Sequence, residues 1–248
     1  MSRAALRLST VPTPDATIRL VCFAFAGGGV MPFRRWSGVL DDRTELWGVS
    51  YPGREAVFGF SEPRDWEGLV RWSAEAVLSR IPPPYVLFGH SMGALVAHDV
   101  ARLLAHEGPT VRRVIVSGHR PPQRRPHHSL ALLDAEDTDL LAWMIDMGGA
   151  PVQALSHPDL RALAVELFRQ DLRTLSTYRH RDGPLLTCDL HVVRGQDELM
   201  TEADLADWAE ATSGRTTFQV LPGGHFYTPD AWDGLPGLLQ GRVEGAEC

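Results

Sequence analysis

The sequence predicts an α/β fold, with a mostly parallel central sheet covered by helices on both faces and one helical insertion. Three observations predict it. Apolar runs of strand length recur along the chain, segments of helical length separate them, and the alternation breaks once, between residues 119 and 187. Most of the runs are continuous rather than alternating, the pattern of strands buried on both faces. Strands alternating with helices join in parallel, because a parallel crossover needs a dozen or more residues and a helix supplies them.

In chain order the strand-like runs are 18–25 (IRLVCFAF), 45–50 (ELWGVS), 85–89 (YVLFG), 113–117 (RVIVS), 188–194 (CDLHVVR) and 216–221 (TTFQVL). The first helix, 65–80, opens on Asp65 as a cap and stops before three prolines. The second, 92–107, stops at Gly108-Pro109, and 202–211 and 229–240 suit helices too. Between 119 and 187 two helical patterns, 137–147 and 158–176, follow one another with no strand between them, after a Pro/Arg/His-rich stretch. The expected organisation is one domain over 1–248, with a lid inserted over 120–182; plain packing helices are the alternative for that stretch.

Composition excludes several classes. The formal net charge of −7 argues against nucleic acid or an anionic membrane as a general partner, since phosphate binding needs a basic surface. All 24 basic residues are arginine, which excludes any mechanism built on a Schiff-base or general-base lysine. The three cysteines, Cys22, Cys188 and Cys248, match no disulfide or metal framework, and Cys22 and Cys188, in strand-like apolar runs, read as buried free thiols, pointing to a reducing cytoplasm. The apolar run Leu20 to Ala26 is too short for a membrane span, and the prolines and Asp15 before it are unlike a secretory leader.

The strongest chemical signal is Gly89-His90-Ser91-Met92-Gly93, a G-x-S-x-G with a strand leading in and a helix leading out. That context is the nucleophile elbow of α/β-hydrolases, a strained turn that exposes a serine hydroxyl. The alternative is a capping serine in a tight strand–helix turn. A serine hydroxyl needs a base. Of ten histidines, His225 lies just past the last strand and before the last helix, where this fold carries its base. His90 would point away from the Ser91 hydroxyl and reads as structural, and the pair His127-His128 lacks the further ligands that a metal site needs. Asp197, in the turn after 188–194, is the expected acid, with its neighbour Glu198 as the alternative. The oxyanion hole needs two backbone N–H groups. Met92 supplies one, and Ala26, in the loop Phe25-Ala26-Gly27-Gly28-Gly29, the other. No Gly-Lys-Ser/Thr follows those glycines, so they are not a phosphate loop.

Beyond these residues the chain resembles the stand-alone (type II) thioesterases of polyketide and nonribosomal peptide synthesis, and medium-chain fatty-acid-synthase thioesterases. The resemblance rests on CFAFAGGG at 22–29 with Phe33 and Trp36, YPGRE at 51–55 and LFGHSMGALVAHDVAR at 87–102. Further along it takes in VSGHRPP at 116–122, MGGAP at 147–151, FRQDLRTLSTYR at 168–179 and LPGGHF at 221–226. It departs at Ala24, where the family usually has proline. It implies Ser91, Asp197 and His225 as a triad, Ala26 and Met92 as oxyanion donors, and a mobile helical lid around 125–180. The implied reaction removes acyl groups from the phosphopantetheine arm of acyl or peptidyl carrier proteins, as editing or as product release. Neither a cofactor nor a metal is implied, and the implied state is a monomer. Arg120, Arg124 and Arg125, where the insertion begins, are expected to dock the acidic carrier, with a solvated basic turn as the alternative. A free lipase or esterase and a non-catalytic hydrolase-fold binding protein are the rival readings.

Overall fold

A computed structural model describes residues 3–10, 15–61, 63, 65–107, 111–124, 131–148 and 156–240. The strands are β1 (Ala5–Arg7), β2 (Ile18–Phe23), β3 (Thr44–Val49), β4 (Tyr85–His90), β5 (Val111–Ser117), β6 (Asp189–Gly195) and β7 (Thr216–Leu221). They form one sheet in the order β1-β3-β2-β4-β5-β6-β7. All neighbours are parallel except β1, which pairs antiparallel with β3. β1 is the strand that the sequence reading lacks. Three residues are too few to show a period.

Every residue of β4 is buried, so its side chains pack on both faces, which explains why the run is apolar throughout. The helices are α1 (Trp66–Arg80), α2 (Met92–Leu104), α3 (Asp137–Asp146), α4 (Pro158–Ser176), α5 (Glu202–Ala209) and α6 (Pro229–Gln240). Asp65 caps α1 as expected, its carboxylate accepting the Gly68 N–H at 2.7 Å. α5 opens with a reciprocal capping box between Thr201 and Asp204.

From β2 the chain moves outward to β3, then returns through α1 to β4 on the other side of β2. The order of connection reverses between β2 and β4. In open parallel sheets ligands bind in the crevice outside the strand ends at such a reversal. Here the loop after β2 contains Ala26 and the turn after β4 contains Ser91.

Between β5 and β6 lie α3 and α4, and they build a second apolar core. Leu140 and Met144 of α3 meet Val165, Phe168 and Leu172 of α4. The Trp143 and Phe168 rings stack at 5.2 Å. Met144 and Phe168 are buried there as core residues of the insertion. Arg169 ties the preceding turn to α4 by donating to the Leu133 and Ala135 carbonyls and to Asp137. Ala26 packs against both this core and the main one, so the loop after β2 sits at their junction.

Candidate active site

Ser91 stands between β4 and α2 with φ 55° and ψ −124°, a left-handed conformation that costs a non-glycine residue energy. Its hydroxyl makes no cap bond to α2, so the capping alternative lacks its defining contact. The elbow is held by close packing. A Cβ on Gly89 would lie 1.9 Å from the Gly93 carbonyl oxygen, and one on Gly93 would lie 2.2 Å from the Phe23 carbonyl oxygen. Both positions admit only glycine, because the start of α2 presses on its own strand and on β2. The Ser91 N–H donates to Ser117 O at 2.8 Å, which fixes the turn to the end of β5. Met92 opens α2, so its N–H is among the first-turn amides that have no acceptor within the helix.

His225 arrives from the loop after β7. Its ring centroid is 4.9 Å from that of His90, the residue before Ser91. Gly118, at φ +62°, makes this approach possible. A Cβ there would stand 2.8 Å from His90 Cε1 and 3.2 Å from His225 Cε1. His90 is fully buried, and its Nδ1 pairs with Ser117 Oγ at 2.9 Å. Burial, with the nearby His225 and His119, lowers its pKa well below the usual histidine value, so it is a neutral packing group as expected.

The carboxylate on the imidazole is that of Glu198, with Oε1 2.7 Å from His225 Nδ1. This corrects the expectation of Asp197. The loops after β6 and β7 are joined by Gln196 N–H to Leu221 O at 2.8 Å and Asp197 N–H to Gly223 O at 3.1 Å. Asp197 thus contributes its backbone to the seam while its side chain is exposed. One residue later the chain turns back, and Glu198 Oε2 accepts the Gly195 N–H at 2.7 Å. Glutamate spans both contacts, one oxygen on its own turn and the other on the imidazole. Spacing along the chain could not rank two adjacent carboxylates that face opposite ways. With Nδ1 taken by Glu198, Nε2 is the nitrogen left to exchange a proton with a hydroxyl.

His119 is a further group that the sequence reading did not assign. Its Nδ1 pairs with the Arg120 carbonyl at 2.6 Å, and burial pushes its pKa down to about 4. It lies within electrostatic range of His225 and Glu198 and is neutral near pH 7, so it adds no charge to that pair.

Two of the three arginines expected to dock a carrier, Arg120 and Arg124, are engaged within the chain. Arg124 Nε lies 2.6 Å from Asp207 and 3.3 Å from Asp204. Arg120 lies 3.7 Å from Asp204 and donates to the Leu199 carbonyl at 3.1 Å. Their charge is answered by α5, so they bracket that helix rather than present a bare basic patch. Arg125 lies outside the described residues, as do His127, His128 and Cys248.

The loop after β2 is held from several sides. Gly28 N–H donates to Phe25 O at 2.9 Å, Gly27 N–H to Asp171 Oδ2 at 2.7 Å, and Val30 N–H to Glu55 Oε1 at 2.9 Å. Among the described residues no His, Cys, Asp and Glu side chains are grouped to hold a metal ion, and no helix is long and apolar enough to cross a membrane.

A strained serine on the elbow, and an imidazole that packs on the ring of the preceding residue, His90, and is held by a carboxylate, are the component groups of a serine hydrolase. A family model described as a thioesterase domain matches residues 18–240. The chain belongs to the thioesterase family. It is 33% identical over 228 residues to the thioesterase PikA5 of Streptomyces venezuelae, spanning 89% of this chain and 79% of that one. Its fold is that of the type II thioesterase BorB from the borrelidin biosynthetic cluster, at a TM-score of 0.84 and 29% identity, covering 96% of this chain and 97% of that chain. The RedJ thioesterase of the prodiginine pathway in Streptomyces coelicolor is similar at 31% identity and a TM-score of 0.81, covering 92% of this thioesterase and 86% of that chain. The sheet and helices of this thioesterase are an α/β-hydrolase fold, as the elbow motif predicts.

Proposed function

We propose that this thioesterase hydrolyses acyl groups from the phosphopantetheine arm of acyl or peptidyl carrier proteins in polyketide or nonribosomal peptide synthesis. The observation that carries the reading is the contact of His225 with Glu198, with the His225 ring packed on that of His90, the residue before an elbow serine in strained geometry. The similar chains are named as a thioesterase, PikA5, and as thioesterases of the borrelidin cluster and the prodiginine pathway, which supports thioester hydrolysis within a biosynthetic pathway.

In this reading Ser91 Oγ attacks the thioester carbonyl carbon while His225 Nε2 takes the hydroxyl proton. The carbonyl oxygen becomes an oxyanion against the N–H groups of Ala26 and Met92. Preorganised donors of this kind are worth on the order of 10²–10³ in kcat each. The C–S bond then breaks, and His225 returns the proton to the departing pantetheine thiol. Water, deprotonated by His225, attacks the acyl-serine ester, the ester C–O bond breaks, and His225 returns the proton to Ser91 Oγ as the acid leaves. Glu198 holds the imidazole tautomer and stabilises the imidazolium in both halves. These groups account for every proton, so the reaction needs no cofactor. Residues 120–182 act as a lid, and Trp143 of α3 borders the acyl chamber beneath it.

The test compares wild type and Ser91→Ala on an acyl-carrier thioester and on a simple acyl oxoester. Preference for the carrier thioester, lost in Ser91→Ala, is the expected result. Equal or better turnover of the oxoester would make the chain a general esterase. Absence of turnover of both by wild type would sink the catalytic reading.

A further inference from the structure

We propose that Arg54 and Asp171 are a positioning pair that sets the oxyanion amide of Ala26, and that α4 thereby holds both the insertion and the oxyanion loop. The proposal rests on the reading of Ala26 as an oxyanion donor.

The orientation of the Ala26 N–H is that of the peptide plane joining Phe25 to Ala26. The carbonyl of that plane, Phe25 O, accepts the Gly28 N–H at 2.9 Å. The next plane, joining Ala26 to Gly27, is held by the Gly27 N–H bond to Asp171 Oδ2 at 2.7 Å. Both planes flanking Ala26 are therefore pinned, one by a local turn and the other by a side chain 144 residues away. The turn depends in its own right on Arg54, whose Nη1 donates to the Gly28 carbonyl at 2.6 Å. Tyr51 donates to the Ala24 carbonyl at 3.1 Å, and Glu55 accepts the Val30 N–H on the far side. The segment Tyr51-Pro52-Gly53-Arg54-Glu55 thus grips the loop at three points.

Arg54 and Asp171 meet in a fork, Nη1 to Oδ2 at 2.8 Å and Nη2 to Oδ1 at 2.7 Å, with each side chain about 95% buried. A buried ion pair is a poor source of stability, because desolvation offsets the attraction. What the pair supplies is geometry and charge balance. A carboxylate is a strong acceptor for the Gly27 amide. Alone, it would repel the negative charge that develops one peptide away. The guanidinium cancels that charge and keeps the acceptor in place.

Asp171 lies one turn beyond Phe168 on α4. A Cβ on Gly27, whose φ is +73°, would meet Phe168 Cβ at 3.0 Å and Cα at 3.2 Å. The backbone of α4 therefore packs directly on the loop, at the level where Phe168 stacks on Trp143. A shift of α4 would carry the Asp171 acceptor with it and tilt the plane beside Ala26.

The experiment measures kcat and KM of Asp171→Asn and Arg54→Lys on an acyl-pantetheine thioester, with unfolding midpoints by circular dichroism. It also measures inhibition by a trifluoromethyl ketone analogue, which adds to serine as an oxyanion. The expected result is kcat lower by about 10- to 100-fold, with KM within about twofold and inhibitor affinity lower by the same factor as kcat. Wild-type kcat and inhibitor affinity in folded variants would overturn the proposal, as would a rise in KM alone. Arg54→Lys keeps the charge and loses only the fork, so it decides the matter if Asp171→Asn does not fold. Failure of the underlying thioesterase reading shows separately, as wild type without turnover or Ser91→Ala with it.

Discussion

Glu198 Oε1 sits 2.7 Å from His225 Nδ1, while the other oxygen of the same carboxylate accepts the Gly195 N–H at 2.7 Å. One side chain thus orients the imidazole and is itself oriented by its own turn. The neighbouring Asp197 carboxylate faces solvent, and only its backbone N–H joins the seam between the loops.

Glu198→Gln is expected to lower kcat by about 10²–10⁴-fold, because the amide can hold the ring in the wrong tautomer and cannot stabilise the imidazolium. Asp197→Asn is expected to change kcat by less than about twofold, as substitutions at exposed positions usually do. Steady-state kinetics of the two variants on one thioester checks the order. Equal losses would return Asp197 to the triad.

Gly118→Ala is expected to lower kcat by about tenfold or more, with a smaller effect on KM. Its Cβ would have to displace His90 or His225, which stand 2.8 Å and 3.2 Å from it at Cε1, and φ +62° adds backbone strain. The rate of serine labelling by a fluorophosphonate should fall in parallel, since it too depends on His225. Labelling at the wild-type rate would show that the ring had not moved.

Acid is expected to destabilise the fold through His119. Its pKa is pushed down to about 4, below the unfolded value near 6.5, so the unfolded chain binds the proton first. The stability that neutral His119 contributes is therefore complete above pH 6.5 and is lost as pH falls toward 4, on the order of 1–3 kcal/mol in all. Urea unfolding at pH 7 and pH 5 checks this. In His119→Gln the difference between the two midpoints should shrink, and an unchanged difference would assign the acid sensitivity elsewhere.

Arg169→Ala is expected to loosen the insertion without unfolding the sheet. It removes donors to the Leu133 and Ala135 carbonyls, on the segment leading into α3, and an ion pair to Asp137, the first residue of that helix. Amide hydrogen exchange across 137–146 should speed up by about tenfold, corresponding to about 1.4 kcal/mol, while β4 and β5 keep their protection. Uniform acceleration over the whole chain would instead indicate loss of global stability.

The elements that the sequence determines by itself are those written in local chemistry. Continuous apolar runs place β2 to β7, Asp65 begins α1, and the glycines at 89 and 93 specify the elbow around Ser91, since no other residue fits the observed approach. His225 is legible too, because the fold sets its place after the last strand. Tertiary structure alone decided which of two adjacent carboxylates reaches that histidine, because the choice depends on how the loop after β6 is joined to the loop after β7. It also decided that Arg54 and Asp171, 117 residues apart, share one buried fork beneath the loop after β2. Local sequence carries backbone propensity and periodicity. The direction in which a loop side chain points follows from contacts made by residues far away in the chain.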